Sequence, residues 1–363
     1  MMQANQQTLM LKTPAGTDIR LHSQAAINAN LSRWATYAQR HAGGALHSHP
    51  GWLVVLARGL RHEPYCIEAT DGDRIVGILP LCFIRSMLFG RFLVSLPYLN
   101  TGGVLADDAA VARAMIDRAV GLADQLKVRY LELRHEQPIE HPALTHAITS
   151  KVHMRLALPS ASEQLWKAFD PKVRNQIRKA EKMELAVHWG GEALLGDFYD
   201  VFATNMRDLG TPVFSRRLFE SVLRQFPDSA ELCVVRHGGK AIAGGLLVHG
   251  GGMTEVPSAS TLRSYNHTNA NMLMYWHFLQ RAIAKGQRTF DFGRSSRDSN
   301  TFRFKKQWGA EPEPATWQYY VREGTVSDMR LESGKYDRLI RIWQRLPVPL
   351  TRWIGPPIVR GIP

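Results

Sequence analysis

Apolar and polar positions follow one pattern twice along this chain. Residues 65–70 and 75–84 are nearly unbroken apolar runs separated by Asp71, Gly72 and Asp73, which reads as two strands and a tight turn. A helix is predicted over 109–126, with Val111, Met115, Leu122 and Leu126 on one stripe, and a strand over 130–134. The second copy has strands at 231–236 and 241–249 around His237, Gly238 and Gly239. A helix follows over 269–285, with Met272, Trp276, Leu279 and Ile283 as its stripe, and then a strand at 289–293. RIVGILPL corresponds to KAIAGGLLV, and YLELR to TFDFGR. The repeated order predicts a duplicated α/β unit with mixed sheets rather than an elongated repeat array. Ahead of it, a polar start of about a dozen residues leads to an initial strand over 11–21 and a helix over 27–40.

The stretch RTFDFGRSSRDSNTFRFKKQWG, 288–309, is where chemistry concentrates. Phe290 and Phe292 alternate with Thr289 and Asp291 until Gly293 breaks the strand. After a polar turn, Ser299 or Asn300 is placed to cap a short helix holding Phe304 and Trp308 one turn apart, with Arg303, Lys305 and Lys306 among them and Gly309 as the stop. If the two aromatics share the buried side, Lys305 is turned about 100° from Phe304 toward a cleft rim. Fixed positive charge at a strand end suits an anion or a developing oxyanion, because it needs no reorganisation when charge appears. A solvated basic turn after an edge strand is the plain alternative.

These residues carry a resemblance. FDFGRSS followed by TFRFKKQWGAEP, together with RNQIRKAEK at 174–182 and NMRDLGTP at 205–212, resembles FemAB-type proteins, in the branch associated with exosortase (PEP-CTERM) and exopolysaccharide systems. The likeness runs from about Gly51 to Tyr320 and implies an α/β fold, α+β in its mixed sheets, of two tandem GNAT-like acyl-CoA N-acyltransferase domains. It implies catalytic roles for Asp291, as base or orienter, and Lys305, as electrostatic stabiliser. A substrate-binding set of Asn205, Arg207, Arg294, Ser295, Phe304, Lys306 and Trp308 comes with it. The expected organisation is a first domain over 1–160, a basic connecting helix over 161–184, a second domain carrying the site over 185–325, and a basic amphipathic tail over 326–363.

The connecting segment DPKVRNQIRKAEKMEL is itself patterned. Asp170 caps, Pro171 takes the first helical position, and Val173, Ile177 and Ala180 make a buried stripe beneath Lys172, Arg174, Arg178, Lys179 and Lys182. Arg174, Arg178, Lys179 and Lys182 form the expected phosphate or donor contact, with a tRNA or a nucleotide-linked acceptor as the phosphate source. The tail alternates Leu339, Ile342, Trp343 and Leu346 with Arg338, Arg341 and Arg345, which fits either a surface anchor or an arm packed on the first domain.

Composition narrows the setting. The 363 residues carry 45 Lys and Arg against 32 Asp and Glu, a net charge of +13, so an anionic partner is expected. Cys66, Cys82 and Cys233 sit in apolar runs and suggest neither disulfides nor a metal. His47 and His49 in HSHPGW lack a third ligand at zinc spacing. With no signal pattern and no membrane-length apolar run, the protein is expected in the cytoplasm, with peripheral contact to the inner face of the membrane through the tail.

The expected reaction is amide formation, moving an acyl or aminoacyl group onto an amine of an anionic cell-envelope precursor of peptidoglycan or exopolysaccharide type. No cofactor is required beyond the donor, aminoacyl-tRNA or acyl-CoA. The turn RSYNHTNANM, 263–272, has no glycine to cradle a pyrophosphate. The first copy has Gly102 and Gly103 but then Asp107 and Asp108, so coenzyme A is disfavoured. Two rivals are a coenzyme A-dependent N-acyltransferase acting on an amino sugar or amino acid, and a noncatalytic nucleic-acid-binding protein. The last should interleave its aromatics with Lys and Arg on an exposed sheet, whereas here most fall on core stripes.

Overall fold

The structure, a computed structural model, describes residues 11–12, 16–41, 45–324 and 337–363. The polar start of the chain and the beginning of the expected tail, 326–336, lie outside the described residues. Two compact units divide it: Met1–Ile148 with Thr316–Asp328 and Pro363, and Thr149–Ala315 with Met329–Ile362.

Among the described residues the first unit forms a nine-stranded mixed sheet. Its order is Leu11–Lys12, Asp18–Ser23, Glu63–Asp71, Arg74–Ser86, Gly90–Val94, Tyr130–His135, Thr316–Val321 and His146–Ile148, with Leu105–Ala106 alongside Arg74–Ser86. Among the described residues of this sheet only Gly90–Val94 and Tyr130–His135 run parallel, and the Ala109–Gln125 helix lies between them in sequence, as a parallel connection requires. Its stripe of Val111, Met115, Ile116, Ala119 and Leu122 enters the core with Ile67, Leu79, Leu81 and Leu131.

The second unit repeats the plan with seven strands, ordered Leu185–Gly190, Ala230–His237, Lys240–Gly250, Met253–Thr261, Thr289–Ser296, Lys151–Ala157 and Glu311–Pro314. Met253–Thr261 and Thr289–Ser296 are the parallel pair, separated by the Ala270–Ala284 helix. One core face joins Met272, Trp276 and Leu279 of that helix to Phe290, Phe292, Met154 and Trp308. The duplicated α/β plan with mixed sheets is therefore the observed fold.

The units exchange sequence at both expected boundaries. Residues 151–157, assigned from sequence to the first domain, pair with Thr289–Ser296 and Glu311–Pro314 in the second sheet. Residues 316–321 pair with Tyr130–His135 in the first. Strand pairing is nonlocal, and nothing in an alternating run names its neighbour. The basic segment is likewise no connector. Pro171–Glu181 is a helix of the second unit, capped by Asp170 Oδ1, which accepts from Lys172 N at 2.7 Å, and Val173, Ile177 and Ala180 belong to that unit's core.

The tail packs as an arm on the second unit, where the sequence allowed an anchor or an arm on the first. Arg207 Nη1 donates to Leu346 O at 3.0 Å, Gln344 Nε2 donates to Asp208 O at 3.1 Å, and Arg352 pairs with Asp200 at 2.7 Å. Within the Val348–Val359 helix, Thr351, Gly355 and Val359 are buried at helical spacing. A Cβ on Gly355 would lie 2.9 Å from the backbone nitrogen of Val213, so glycine there permits close approach. Buried apolar side chains contribute about 1.5–3 kcal/mol each. Deleting 337–363 should therefore lower the melting temperature by several degrees in calorimetry, and an unchanged transition would mean that the arm is not docked in solution.

Candidate functional site

In both units the parallel strands share three registered pairs and then part. In the first unit these are Phe92 with Tyr130, Leu93 with Leu131 and Val94 with Glu132. Residues 95–103 then turn back along the strand they have left. Ser95 N donates to Glu132 O, Ser95 Oγ accepts from Arg134 N, and Gly102 N and Gly103 N both donate to Arg134 O. Buried Arg134 donates to Glu132 Oε1 and Leu99 O, and its guanidinium lies 3.9 Å from the centre of the Trp317 ring. The chain itself satisfies the backbone groups that the parting strands release.

In the second unit Met253, Thr254 and Glu255 pair with Thr289, Phe290 and Asp291, after which the two strands follow their outer neighbours. The register of Thr289–Ser296 slips between Asp291 and Arg294, where Gly293 has φ of +79°. This is a bulge that a Cβ would strain. It breaks the alternation that points successive carbonyls to opposite sides, and Gly293 O and Arg294 O both reach Nζ of Lys305, at 2.9 and 3.1 Å.

Lys305 belongs to the Asn300–Lys306 helix, whose start is capped as expected by Ser299 Oγ accepting from Phe302 N at 3.1 Å. Its residue is only 9% exposed. The expected position at a cleft rim is thus corrected: the side chain turns inward because two converging carbonyls offer an ammonium the partners that burial removes. Burial lowers its pKa to about 8, opposed by the nearby Asp291 charge. The two carbonyls take two of its three N–H donors.

Asp291 is 2% exposed. Its Oδ1 accepts from Gly293 N at 2.6 Å, its Oδ2 accepts from Arg155 Nε at 3.1 Å, and His153 Nδ1 lies 3.6 Å from Oδ2. Burial acts to raise its pKa, but the hydrogen bonds and charges of His153, Arg155 and Gly293 outweigh it and hold the group at about 2. A carboxylate that weakly basic is a poor proton acceptor at neutral pH. Of the two expected roles, base or orienter, the geometry suits the orienter: the carboxylate anchors the bulge through Gly293 N.

Other expected site residues fall in different places. Asp291 pairs with Arg155 and Arg294 with His153, so these four share one face, while Ser295 pairs with Val152 on the opposite, core face. Arg294 and Ser295 therefore do not meet at one substrate; strand alternation separates them. Trp308, 1% exposed, lies edge-on to Phe169 at 5.4 Å, and Phe304 lies edge-on to Tyr275 at 5.0 Å. Both are core contacts rather than substrate contacts, because the short helix lays its aromatic side on the sheet. Lys306 is exposed and paired with Glu311 at 2.7 Å. Asn205 Nδ2 donates to Ser260 Oγ at 3.1 Å, so it does reach the parting strand Met253–Thr261. Arg207 holds the tail. On the basic helix Arg174 is half-buried, Arg178, Lys179 and Lys182 are exposed, and Arg178 lies 5.6 Å from the centre of the Trp166 ring.

Two features went unread in the sequence. His153 and Arg155 alternate with Val152, Met154 and Leu156 in KVHMRLA, a strand signal present but without a partner until the fold supplies one. At the helix Ala270–Ala284 no glycine is needed: Asn269 takes the left-handed conformation, φ +55°, and the Met272 and Leu273 amides donate to its carbonyl. Asn tolerates that conformation, so the missing glycine is no obstacle to the turn. In HSHPGW, His49 Nδ1 accepts from Gly51 N at 2.9 Å and His47 lies 3.9 Å from Glu136. Among the described residues no cluster could hold a metal ion, and no helix is long and apolar enough to cross a membrane.

Residues 168–306 match the family model of the acetyltransferase (GNAT) domain. No curated protein matches the chain. Among solved structures it is similar to FemX, with TM-score 0.63 at 14% identity, covering 80% of this chain and 96% of that one. It is also similar to the C-terminal domain (DUF2156) of a putative lysylphosphatidylglycerol synthetase from Agrobacterium fabrum, with TM-score 0.55 at 12% identity over 85% and 96%. A tandem GNAT protein from the clavulanic acid biosynthesis pathway gives 0.50 at 13% over 85% and 99%. Likeness at such identities is likeness of fold: the chain has a tandem GNAT-like fold, and the domain match covers the Asp291 strand and Lys305.

Proposed function

We propose that this protein is an acyltransferase that forms an amide by moving an acyl or aminoacyl group onto an amine of an anionic cell-envelope precursor. The observation that carries this reading is Lys305, a buried cation fixed by the Gly293 and Arg294 carbonyls beside the parting strands of the GNAT-matching domain, with one N–H left to give. The amine nitrogen attacks the activated carbonyl, the C–N bond forms, and an oxyanion develops that Lys305 stabilises. Its collapse breaks the C–O bond of an aminoacyl ester or the C–S bond of a thioester. The amine proton leaves with the departing oxygen or sulfur, since Asp291 is too weak a base. Asn205, through Ser260, orders the opposite strand for the acceptor.

The likeness to FemX and to a putative lysylphosphatidylglycerol synthetase domain supports an aminoacyl donor, and the FemAB-type sequence resemblance points to tRNA as its carrier. The sequence signature supports an exopolysaccharide setting of PEP-CTERM type, at the inner face of the cytoplasmic membrane. Coenzyme A as donor is the second reading, favoured by the match to an acetyltransferase domain and by the left-handed Asn269 turn at the helix start. Comparing envelope and exopolysaccharide fractions of deletion and wild-type cells by mass spectrometry should reveal a missing mass that names the transferred group. Identical fractions would remove the envelope reading. Thiol release set against tRNA deacylation then separates the donors.

If the donor is tRNA, the basic helix is its contact. Arg178→Gln, Lys179→Gln and Lys182→Gln together should weaken tRNA binding and reduce the slope of log affinity against log salt by roughly 2 to 3. The exposed positions predict no accompanying loss of stability. An unchanged slope would leave these cations as a solvated face.

A further inference from the structure

The hairpin joining Arg74–Ser86 to Gly90–Val94 ends in a tip that exposes two adjacent large apolar side chains. Met87 is fully exposed, at 104%, and Leu88 is 74% exposed. The tip is built rather than slack: Ser86 Oγ accepts from Leu88 N at 3.3 Å and from Phe89 N at 3.2 Å, a local turn that leaves both apolar side chains outward.

Arginines ring its base. Arg85 and Arg91 face each other directly across the hairpin, an arrangement of like charges that is unfavourable within the protein itself. Arg129 joins them, its backbone N–H donating to Arg91 O at 2.8 Å and its Nη1 to Phe89 O at 3.5 Å. Glu63 lies 4.0 Å from Arg85 but also accepts from the Tyr65 hydroxyl. Arg91 has no ion-pair partner among the described residues. An anion from outside lying between the facing arginines would relieve that repulsion.

We propose that this tip is a membrane-contacting loop, which inserts Met87 and Leu88 among lipid chains while Arg85, Arg91 and Arg129 engage anionic headgroups. Two protruding side chains are too small a surface for a protein partner, where a stable interface buries about 800 Å² on each side. A bilayer deforms around a convex tip, takes apolar side chains at its boundary, and supplies phosphates at the depth of the flanking cations. A second copy of the chain would bring like charges together. This inference stands apart from the acyl-transfer reading and uses none of the residues of that site.

The test is co-sedimentation of the full chain with phosphatidylcholine vesicles, with and without phosphatidylglycerol. Each arginine near an anionic surface is worth roughly fivefold in partitioning. Arg85→Gln with Arg91→Gln should therefore lower binding to the anionic vesicles roughly thirtyfold and leave binding to pure phosphatidylcholine unchanged. Met87→Ser with Leu88→Ser should lower partitioning at least tenfold on anionic vesicles. Both pairs should keep the wild-type melting temperature, because the substituted side chains are exposed. The same losses should appear in a chain carrying Leu339→Ser and Trp353→Ser, which removes exposed apolar side chains of the tail. Wild-type chain that ignores anionic vesicles, or tip variants that bind like wild type, would overturn the proposal. So would a lipid-free dimer in sedimentation velocity that the tip substitutions abolish, since the tip would then be a contact between copies.

Discussion

Lys305→Met is expected to lower turnover by roughly two to three orders of magnitude, the loss that follows removal of one preorganised stabiliser worth about 2.7–4 kcal/mol in the transition state. Stability should change much less, for a reason that magnitudes decide. The substitution strands the Gly293 and Arg294 carbonyls, at about 1–3 kcal/mol each. It also ends the burial of a charge whose pKa is drawn from 10.5 to about 8, a relief of about 3 kcal/mol. The two nearly offset, and the melting temperature should move by a few degrees at most. Lys306→Met, which removes only an exposed pair with Glu311, should be mild in both respects.

The pH dependence gives the same residue opposite signs in two assays. Its folded pKa of about 8 lies below the unfolded 10.5, so between these values the unfolded chain binds more protons and stability rises with pH. Activity that needs the charged ammonium should instead fall as pH rises through about 8. Turnover that stays flat from neutral pH to well above 8, or a Lys305→Met enzyme with near-normal turnover, would remove Lys305 from the chemistry. It would then remain as a lock on the bulge.

Asp291→Ala is the substitution expected to damage the fold most. Removing one partner of a buried ion pair typically costs about 3–5 kcal/mol, because the remaining charge is left without compensation. Here Glu313, 2.9 Å from Arg155, tempers the loss toward the lower figure. At about 2–4 °C per kcal/mol for a unit of this size, the melting temperature should fall by roughly 6 °C or more. The acid side follows from the carboxylate's pKa of about 2, below its ordinary 3.8. Its contribution, about 2 kcal/mol, is complete above 3.8 and is lost as pH falls through 2. Asp291→Asn should remove that acid-dependent part of the stability curve. If Asp291 were a base, Asp291→Asn would abolish turnover at neutral pH by far more than its loss of stability accounts for, which is the outcome that would restore the catalytic assignment.

Much of the site's local structure was legible before any coordinates. Ser299 caps the Asn300–Lys306 helix and Asp170 caps Pro171–Glu181, because a capping side chain acts within three residues of itself. Gly293, expected to end its strand, instead bulges it, and the strand runs on to Ser296. What escaped the sequence was direction. Phe304 and Trp308 were legible as one side of a helix, yet that side alone could not tell a core from a binding face. Lys305 was placed at a cleft rim by its turn of about 100° from Phe304, and only the converging carbonyls of Gly293 and Arg294 make its burial tolerable. Arg155 and Asp291 lie 136 residues apart, and no periodicity links them.

By itself, then, the sequence determined the repeated order of strands and helices, the caps, the breaks and the stripes. These depend on interactions between residues a few positions apart, and hydrophobic periodicity records them directly. The tertiary structure alone decided that 151–157 joins the second sheet and 316–321 the first, that the tail docks on the second unit, and that Arg155 pairs with Asp291. Each of those outcomes rests on a pairing between distant segments. Backbone hydrogen bonds can be satisfied by any strand of suitable pattern, so the choice of partner is set by which packing buries the most apolar surface and leaves no buried charge unpaired.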